Sequence, residues 1–297
     1  MYAITGVTGK VGGELARKLL AARQPVRAIV RDVRKGEPWA ARGCELAVAD
    51  MEDPSALTAA FLDATAAFIL PPSEFDPAPG YPEARSVIDS VVSALRAAKP
   101  TKVFCLSTIG ADAVHDNLLT QRTMLEAALR ELSLPLTILR PAWFIDNSAW
   151  DVTSARETGI IHSLLRPVDK AFPMVAAQDV GRVSAELIQQ GWTGTRIIEL
   201  EGPRRFTPND LADAFTRVLG KPVRAVPVPR DSWDHLFRSQ GMKNPEPRMR
   251  MLDGFNEGWI AFEAEGAIKG HIDAVSVIRS LVARLAEPTD VEPTVHA

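Results

Sequence analysis

Cysteine and tyrosine are scarce in this chain, which holds two of each among 297 residues. Two cysteines cannot form a disulfide framework, and Cys105 lies in an apolar run, which favours a reduced, packed thiol. The histidines show no spacing typical of a metal site. No apolar run approaches the roughly 20 residues that span a bilayer, and the first residues lack the features of a signal peptide. We therefore expect a cytoplasmic protein with no metal centre.

Excess charge of either sign is also lacking, because the formal net charge is -3. Proteins that bind bulk nucleic acid present a basic face to its phosphates, and this balance does not favour one. The 46% hydrophobic and 24% charged residues are typical of a globular protein, and 297 residues suffice for one large domain or two coupled ones. We expect neither a nucleic-acid nor a membrane partner.

Strand-like and helix-length segments alternate through the first half of the chain. Val11, Leu15 and Leu19 recur at helical spacing after the first strand. This alternation is typical of βαβ units, and short apolar strands are typical of a sheet covered on both faces. The sequence therefore predicts an α/β protein with a Rossmann-type, doubly wound parallel sheet. Its strands are expected at residues 2–5, 26–30, 45–48, 66–70, 102–106 and 136–139.

The pattern changes after Asn147, where about 30 residues rich in turn formers are expected to be irregular. A helix and a strand between about residues 177 and 200 are then expected to return to the Rossmann sheet. We expect a dinucleotide-binding Rossmann domain at 1–147, a smaller C-terminal substrate-covering lobe at 148–285 and a disordered tail at 286–297.

A glycine motif, GVTGKVG, follows the first strand and opens the first helix, with Gly6, Gly9 and Gly12 at its glycine positions. Glycine suits a tight turn whose backbone must approach a pyrophosphate, and a helix N-terminus offers free N–H groups to it. The spacing matches the GxxGxxG form of short-chain dehydrogenases. Lys10 either adds a cation beside the phosphates or is a solvated lysine at a helix start.

The residue after the second strand selects between dinucleotides. NAD-specific proteins carry an acid there for the ribose 2′-hydroxyl, whereas this chain has Arg31. An arginine suits a 2′-phosphate, and Arg34 and Lys35 enlarge the positive patch. Two alternatives stay open: Arg31 is a solvated surface residue, or Asp32, one position late, takes the ribose of NAD(H). We expect NADP(H).

Several short runs together resemble those of the NmrA-like family of atypical short-chain dehydrogenases. The resemblance covers roughly 200 residues and is specific in combination. It implies a Rossmann fold that binds NADP(H), in a family with both quinone reductases and redox-sensing regulators. The runs are GVTGKVG, VRAIVRD, Ala49-Asp50, Leu70-Pro71-Pro72, Leu106-Ser107-Thr108-Ile109-Gly110, LPLTILRPAWFIDN, Ala177-Gln178-Asp179-Val180-Gly181 and Glu201-Gly202-Pro203.

The resemblance also implies cofactor-binding positions in this chain. The pyrophosphate would be held by Gly6, Thr8, Gly9, Lys10, Val11 and Gly12, and the 2′-phosphate by Arg31 with Lys35. Asp50 and Met51 would lie by the adenine. The rest of the cofactor would be flanked by Leu70, Pro71, Pro72, Ser107 and Thr108, and the nicotinamide approached by Pro141, Ala142, Trp143 and Phe144.

The chain departs from the usual short-chain dehydrogenases at their Tyr-x-x-x-Lys dyad, in which the tyrosine passes a proton to the carbonyl oxygen. Neither Tyr2 nor Tyr81 has a lysine at that spacing, and the expected place holds Leu118 and Arg122. Arg122 can hold ribose or phosphate oxygens, but an arginine is no proton relay. The sequence therefore names no catalytic residue.

Two functions from different classes follow. The first is an NADPH-dependent reductase of a small, quinone-like acceptor that takes hydride and a solvent proton; Trp143 and Phe144 form an aromatic wall for it or merely pack in the core. The second is a non-catalytic NADP(H) sensor that binds a regulatory protein. A reductase or epimerase using His115, Asp116 or Asn147 as acid is a third reading. A homodimer is left open.

Overall fold

The structure, a computed structural model, describes residues 1–262 and 266–285. Its strands are β1 (Tyr2–Ile4), β2 (Val26–Val30), β3 (Glu45–Val48), β4 (Ala66–Ile69), β5 (Val103–Leu106), β6 (Leu136–Pro141), β7 (Trp143–Phe144), β8 (Ile160–Ser163), β9 (Met174–Val175), β10 (Thr195–Glu201), β11 (Arg224–Pro227) and β12 (Ile268–Lys269). The tail expected at 286–297 lies outside the described residues.

The helices connect these strands and cover the sheet. They are α1 (Lys10–Ala21), α2 (Val33–Ala40), α3 (Pro54–Phe61), α4 (Pro82–Ala98), α5 (Thr120–Arg130), α6 (Val152–Thr158), α7 (Ala177–Ile188), α8 (Pro208–Leu219), α9 (Trp233–Ser239), α10 (Glu246–Glu257) and α11 (Ala274–Arg284), with 3-10 helices at Ile145–Asp151 and Arg230–Ser232. None of these helices is long and apolar enough to cross a membrane.

Eight strands form the central sheet, in the order β12-β10-β6-β5-β4-β1-β2-β3. Every pairing in it is parallel; in β1, for example, Tyr2 lies opposite Val26 of β2 and Ala66 of β4. This is the strand order of a doubly wound sheet, with the chain moving to opposite sides from β1. The predicted Rossmann-type fold is confirmed.

Both faces of the central strands β1, β4, β5 and β6 are buried because their side chains alternate between two helix layers. Tyr2 and Ile4 share an apolar cluster with residues of α1 and α7, whereas Ala3 between them belongs to a cluster with α3, α4 and α5. Leu15 and Leu19 of α1 are fully buried in the first cluster. Burying a leucine side chain contributes about 2 kcal/mol, so the apolar stripe predicted for this helix holds it on the sheet.

A third apolar cluster contains no residue of the eight-stranded sheet and includes residues of α8, α9, α10 and α11. The stretch after Asn147, expected to be irregular, contributes to it and is ordered: it forms a 3-10 helix, α6, β8 and β9. The expectation was wrong because β8 pairs with β11, far along the chain, and such pairing leaves no local signal. Gly159 ends α6 in the left-handed conformation, with φ +67°.

Candidate active site

The loops that follow β1 to β6 meet at one edge of the sheet, since parallel strands carry their carboxyl ends to the same side. β1 lies between β2 and β4, and the crevice outside such a switch point is where doubly wound sheets bind ligands. Except for Arg122, which lies on α5, every predicted cofactor-binding residue belongs to these six strand ends and loops, to the β7 strand or to the first turn of α1 or α2. The candidate acids His115 and Asp116 follow β5, and Asn147 lies in the 3-10 helix Ile145–Asp151.

The glycine loop brings free backbone N–H groups to this crevice. Gly6 adopts φ +67°, and the N–H of Gly9 donates to its carbonyl oxygen at 3.0 Å. A Cβ on Gly12 would stand 2.3 Å from that same oxygen, so the first turn of α1 packs directly on the loop. No side chain caps α1 and its first turn has no acid. The loop therefore presents an uncapped, positive helix end, which suits a phosphate.

Lys10, inside the loop, forms an ion pair with Asp146. Its ammonium lies 3.1 Å from Asp146 Oδ1, while Asp146 Oδ2 accepts a hydrogen bond from the Ala177 backbone N–H at 2.8 Å. Asp146 therefore links the glycine loop to the start of α7. The sequence reasoning missed Asp146, although it stands in the quoted run LPLTILRPAWFIDN.

Asp32, the acid that left NAD(H) as an alternative cofactor, forms its hydrogen bonds at the start of α2. Asp32 is the N-cap of α2: its Oδ1 accepts from the Arg34 backbone N–H at 3.0 Å, and its Oδ2 lies 3.1 Å from Arg34 Nη2. Hydrogen bonds from Arg34 lower the pKa of this exposed carboxyl. Arg31 is exposed, and its side chain has no hydrogen bond or ion pair within the described part of the chain. Arg31 rather than Asp32 is thus free for a ligand.

Arg122 holds the loop after β4. Its Nη2 donates to the Pro71 carbonyl oxygen at 3.0 Å and to Ser73 Oγ at 2.6 Å. Gln121, beside it on α5, donates to the Glu74 carbonyl oxygen at 2.8 Å. Leu70, at the start of this loop, packs on the glycine loop, where a Cβ on Gly6 would be 3.0 Å from its Cδ2. The Arg122 guanidinium, expected at the ribose or phosphates, therefore holds the loop after β4, which packs on the glycine loop.

A buried charge network joins α5 to the ends of β5 and β6. Glu126 accepts from Ser107 Oγ at 2.5 Å and from Arg140 Nε and Nη2 at 3.0 and 2.8 Å. Arg140 Nη1 also lies 3.2 Å from Asp112 Oδ2. The Ser107 hydroxyl, expected at the cofactor, is turned to Glu126. Sequence reasoning missed Glu126 and Arg140; a charged residue directly before Pro141 in an apolar strand was the available signal.

Two aromatic residues, Trp143 and Phe144, form the short strand β7 directly after β6. Trp143 is half-buried and meets Phe255 of α10 edge to face, with ring centroids 5.2 Å apart. β7 pairs with β9, which fixes Trp143 and Phe144 at the junction of the sheet and the third cluster. One edge of Trp143 thus packs against α10 while part of the ring stays accessible.

Neither tyrosine belongs to a Tyr-x-x-x-Lys motif, and both are buried. Tyr2 is buried at the beginning of β1, at the opposite edge of the sheet, and burial raises its pKa. The buried Tyr81 hydroxyl lies 2.8 Å from Asp116 Oδ1 and 2.9 Å from the Asn117 carbonyl oxygen. Burial, and then the hydrogen bond to Asp116, raise its pKa. Leu118, at the expected position, is buried.

A polar cleft of about 930 Å³ opens beside the glycine loop. Thr8, Gly9 and Lys10 line one side, and residues of α11 with His271 line the other. Within the described residues no three His, Cys, Asp or Glu side chains gather as a metal site. Burial raises the pKa of the Cys105 thiol to about 12, so this cysteine is no nucleophile.

Comparison with known proteins agrees with this architecture. An NAD(P)H azoreductase of Xenophilus azovorans is 25% identical over 287 residues, 96% of this chain and 94% of the relative. Quinone oxidoreductase 2 of Escherichia coli (strain K12) is 29% identical over 245 residues, 82% of each chain. An NADPH-dependent quinone oxidoreductase from Escherichia coli, solved with NADPH, shares the fold with a TM-score of 0.75 at 22% identity, over 96% of this chain and 99% of that one. Because the model of the NmrA-like family matches residues 2–257, the chain belongs to the NmrA-like family.

Proposed function

We propose that this protein is an NADPH-dependent reductase of a small, flat, quinone-like acceptor. The observation that carries the proposal is the pairing of an uncapped glycine loop, which follows β1 at the β1/β4 switch point, with an unengaged Arg31 at the end of the neighbouring β2. Relatives that cover most of the chain bear the names of an NAD(P)H azoreductase and a quinone oxidoreductase, which supports both the cofactor and the acceptor class.

The residues present fit an NADP(H) dinucleotide. Residues 6–12 would hold the pyrophosphate through backbone N–H groups, and Arg31 with Lys35 the 2′-phosphate. Asp50, Met51, 70–72, 107–108 and 141–144 would line the rest of the binding site. When bound, NADPH supplies the hydride. We further propose that residues 148–285 act as the lobe that covers the acceptor.

The protein's own contribution is positioning, because neither tyrosine belongs to a Tyr-x-x-x-Lys dyad that could supply a proton. Arg122 fixes the loop after β4, and the Glu126–Arg140 pair fixes the ends of β5 and β6, so the walls of the crevice are set before ligands bind. A quinone that accepts hydride can take its proton from solvent. A ketone, whose developing alkoxide needs a positioned donor, is a poor substrate for this arrangement.

The second candidate is a sensor of the NADP(H) redox state that binds a regulatory protein. The burial of Leu118 at the place of the dyad tyrosine favours it, since a sensor needs no proton donor. Spectrophotometric measurement of NADPH consumption with a panel of quinones separates the two. Turnover supports the reductase; tight NADPH binding without turnover of any acceptor supports the sensor.

NADPH should bind at least about tenfold more tightly than NADH, a difference of about 1.4 kcal/mol, because Arg31 pairs with the 2′-phosphate. Arg31→Asp should weaken NADPH much more than NADH in fluorescence titrations. Arg96→Ala, which removes an exposed arginine on α4, should change neither affinity and serves as the control. Equal affinities for the two dinucleotides, or an equal loss of both in Arg31→Asp, contradict the assignment.

Tyr2→Phe and Tyr81→Phe should each lower turnover of the best quinone by less than about fivefold, roughly 1 kcal/mol of barrier. Loss of a positioned acid costs about two to four orders of magnitude, but here Tyr2 is remote and the Tyr81 hydroxyl is bound to Asp116 and Asn117. Steady-state kinetics on the folded variants test this. Strong reduction of simple ketones that collapses in Tyr81→Phe would show that Tyr81 is the acid after all.

A further inference from the structure

Arg248, in the first turn of α10, is a half-buried guanidinium without an acidic partner in the part of the chain that the structure describes. Its Cζ lies 4.6 Å from the Phe237 ring centroid and 5.6 Å from that of Trp150. Its Nη1 lies 3.7 Å from Met242 Sδ. The groups that face this cation are therefore two aromatic rings and a thioether.

A guanidinium in such surroundings has lost much of its hydration without gaining a counter-ion. Burial accordingly lowers the pKa of Arg248. A neighbouring arginine of the same lobe shows the contrast: Arg230 forms a two-point pair with Asp253, at 2.7 and 2.8 Å. Arg248 has the chemistry of an anion-binding residue whose anion comes from outside these residues.

The position of Arg248 relative to the aromatic wall follows from two contacts. Trp143 meets Phe255, and Trp150 meets Arg248, so the segment from 143 to 150 runs antiparallel to α10. Arg248 and Phe255 are seven residues apart on one face of α10, about 10 Å along the helix. Trp150 is 52% exposed and Arg248 is half-buried, so this end of the pair borders solvent.

We propose that Arg248 and Trp150 form a subsite for an acidic substituent, a carboxylate or sulfonate, on the far end of a flat aromatic acceptor. The ring system would lie along the wall that begins at Trp143, and its acid would pair with the guanidinium. Arg248 is then a specificity residue that does not touch the reacting atoms. The proposal rests on the proposed reductase function for the identity of the acceptor, but not for the binding of the anion.

The test uses a matched pair of acceptors, 1,4-naphthoquinone-6-carboxylate and its neutral 6-carboxamide. With the full-length protein and NADPH, we expect KM for the carboxylate to be about tenfold lower, which is about 1.4 kcal/mol of binding. Arg248→Met, which keeps an apolar stem among apolar neighbours, should erase this preference and leave KM for the carboxamide within about twofold. Arg248→Lys should retain part of the preference.

Arg250→Met is the matched control, because Arg250 lies two positions along α10 and its Nη1 is already 3.8 Å from Asp253 Oδ2. The Arg250→Met variant should keep the preference for the carboxylate unchanged. A preference that survives in folded Arg248→Met, or is absent from the unmodified protein, overturns the proposal. If no quinone is reduced, calorimetric titration with naphthalene-2-carboxylate and naphthalene-2-carboxamide tests the anion subsite without any need for turnover. Binding of the carboxylate that Arg248→Met abolishes upholds the subsite while the reductase proposal fails.

Discussion

Gly9→Val is expected to abolish NADPH binding, with a loss of at least about a hundredfold, in a protein that keeps its fold. The backbone of Gly9 has φ -85° and ψ 178°, an extended conformation that valine adopts readily. Apart from its chain neighbours, an added Cβ would have only the Gly6 carbonyl oxygen within 4 Å, at 3.3 Å. The fold thus tolerates the side chain, whereas a pyrophosphate would have to share its space.

Gly12→Ala is the informative comparison for Gly9→Val. Its Cβ would stand 2.3 Å from the oxygen and 2.7 Å from the carbon of the Gly6 carbonyl, so α1 must move off the loop. We expect destabilisation on the order of 3 kcal/mol, seen as a lower midpoint in thermal unfolding. Circular dichroism and fluorescence titration together separate the two variants. Folded Gly9→Val that binds NADPH normally would mean that the phosphate loop is wrongly assigned.

Glu126→Ala should lower the free energy of unfolding more than any other variant considered, by about 3 to 5 kcal/mol. Glu126 nevertheless lies on a helix, α5, outside the crevice. Its side chain and that of Arg140 are each 4% exposed and lie 2.8 Å apart. Removing the carboxylate takes a two-point partner away from a buried guanidinium and leaves the Ser107 hydroxyl without its acceptor. Chemical unfolding monitored by tryptophan fluorescence measures the loss.

Two further variants define the cause of that loss. Glu126→Gln keeps an acceptor for Ser107 while removing the charge, so its stability should fall between those of the alanine variant and the unmodified protein. Glu186→Ala removes a 59% exposed glutamate whose partner, Arg182, is 2.8 Å away. Exposed pairs contribute about 0 to 1 kcal/mol, so this control should be nearly neutral. Equal losses in Glu126→Ala and Glu186→Ala would refute the role given to burial.

The glycine loop between the first strand and the first helix was predictable from the chain because it depends on local turn chemistry. Gly6 shows this best: its left-handed backbone belongs to a turn of a few residues, and the motif around it marks that turn. The roles of Asp32 and Arg122 were not predictable. A carboxylate can bind a ribose hydroxyl and a guanidinium can bind ribose or phosphate oxygens. Only their actual neighbours show that Asp32 caps a helix and that Arg122 holds a loop.

The sequence by itself determined the alternation of strands and helices, the glycine loop and the absence of a Tyr-x-x-x-Lys dyad, because apolar periodicity, turn geometry and residue spacing are properties of near neighbours along the chain. Only the tertiary structure decided the pairs of Lys10 with Asp146 and of Glu126 with Arg140, and the lack of an acidic partner for Arg248 among the described residues. Charged side chains far apart in sequence meet or miss each other according to how the strands and helices pack, and the energy of each pair depends on the burial that this packing imposes.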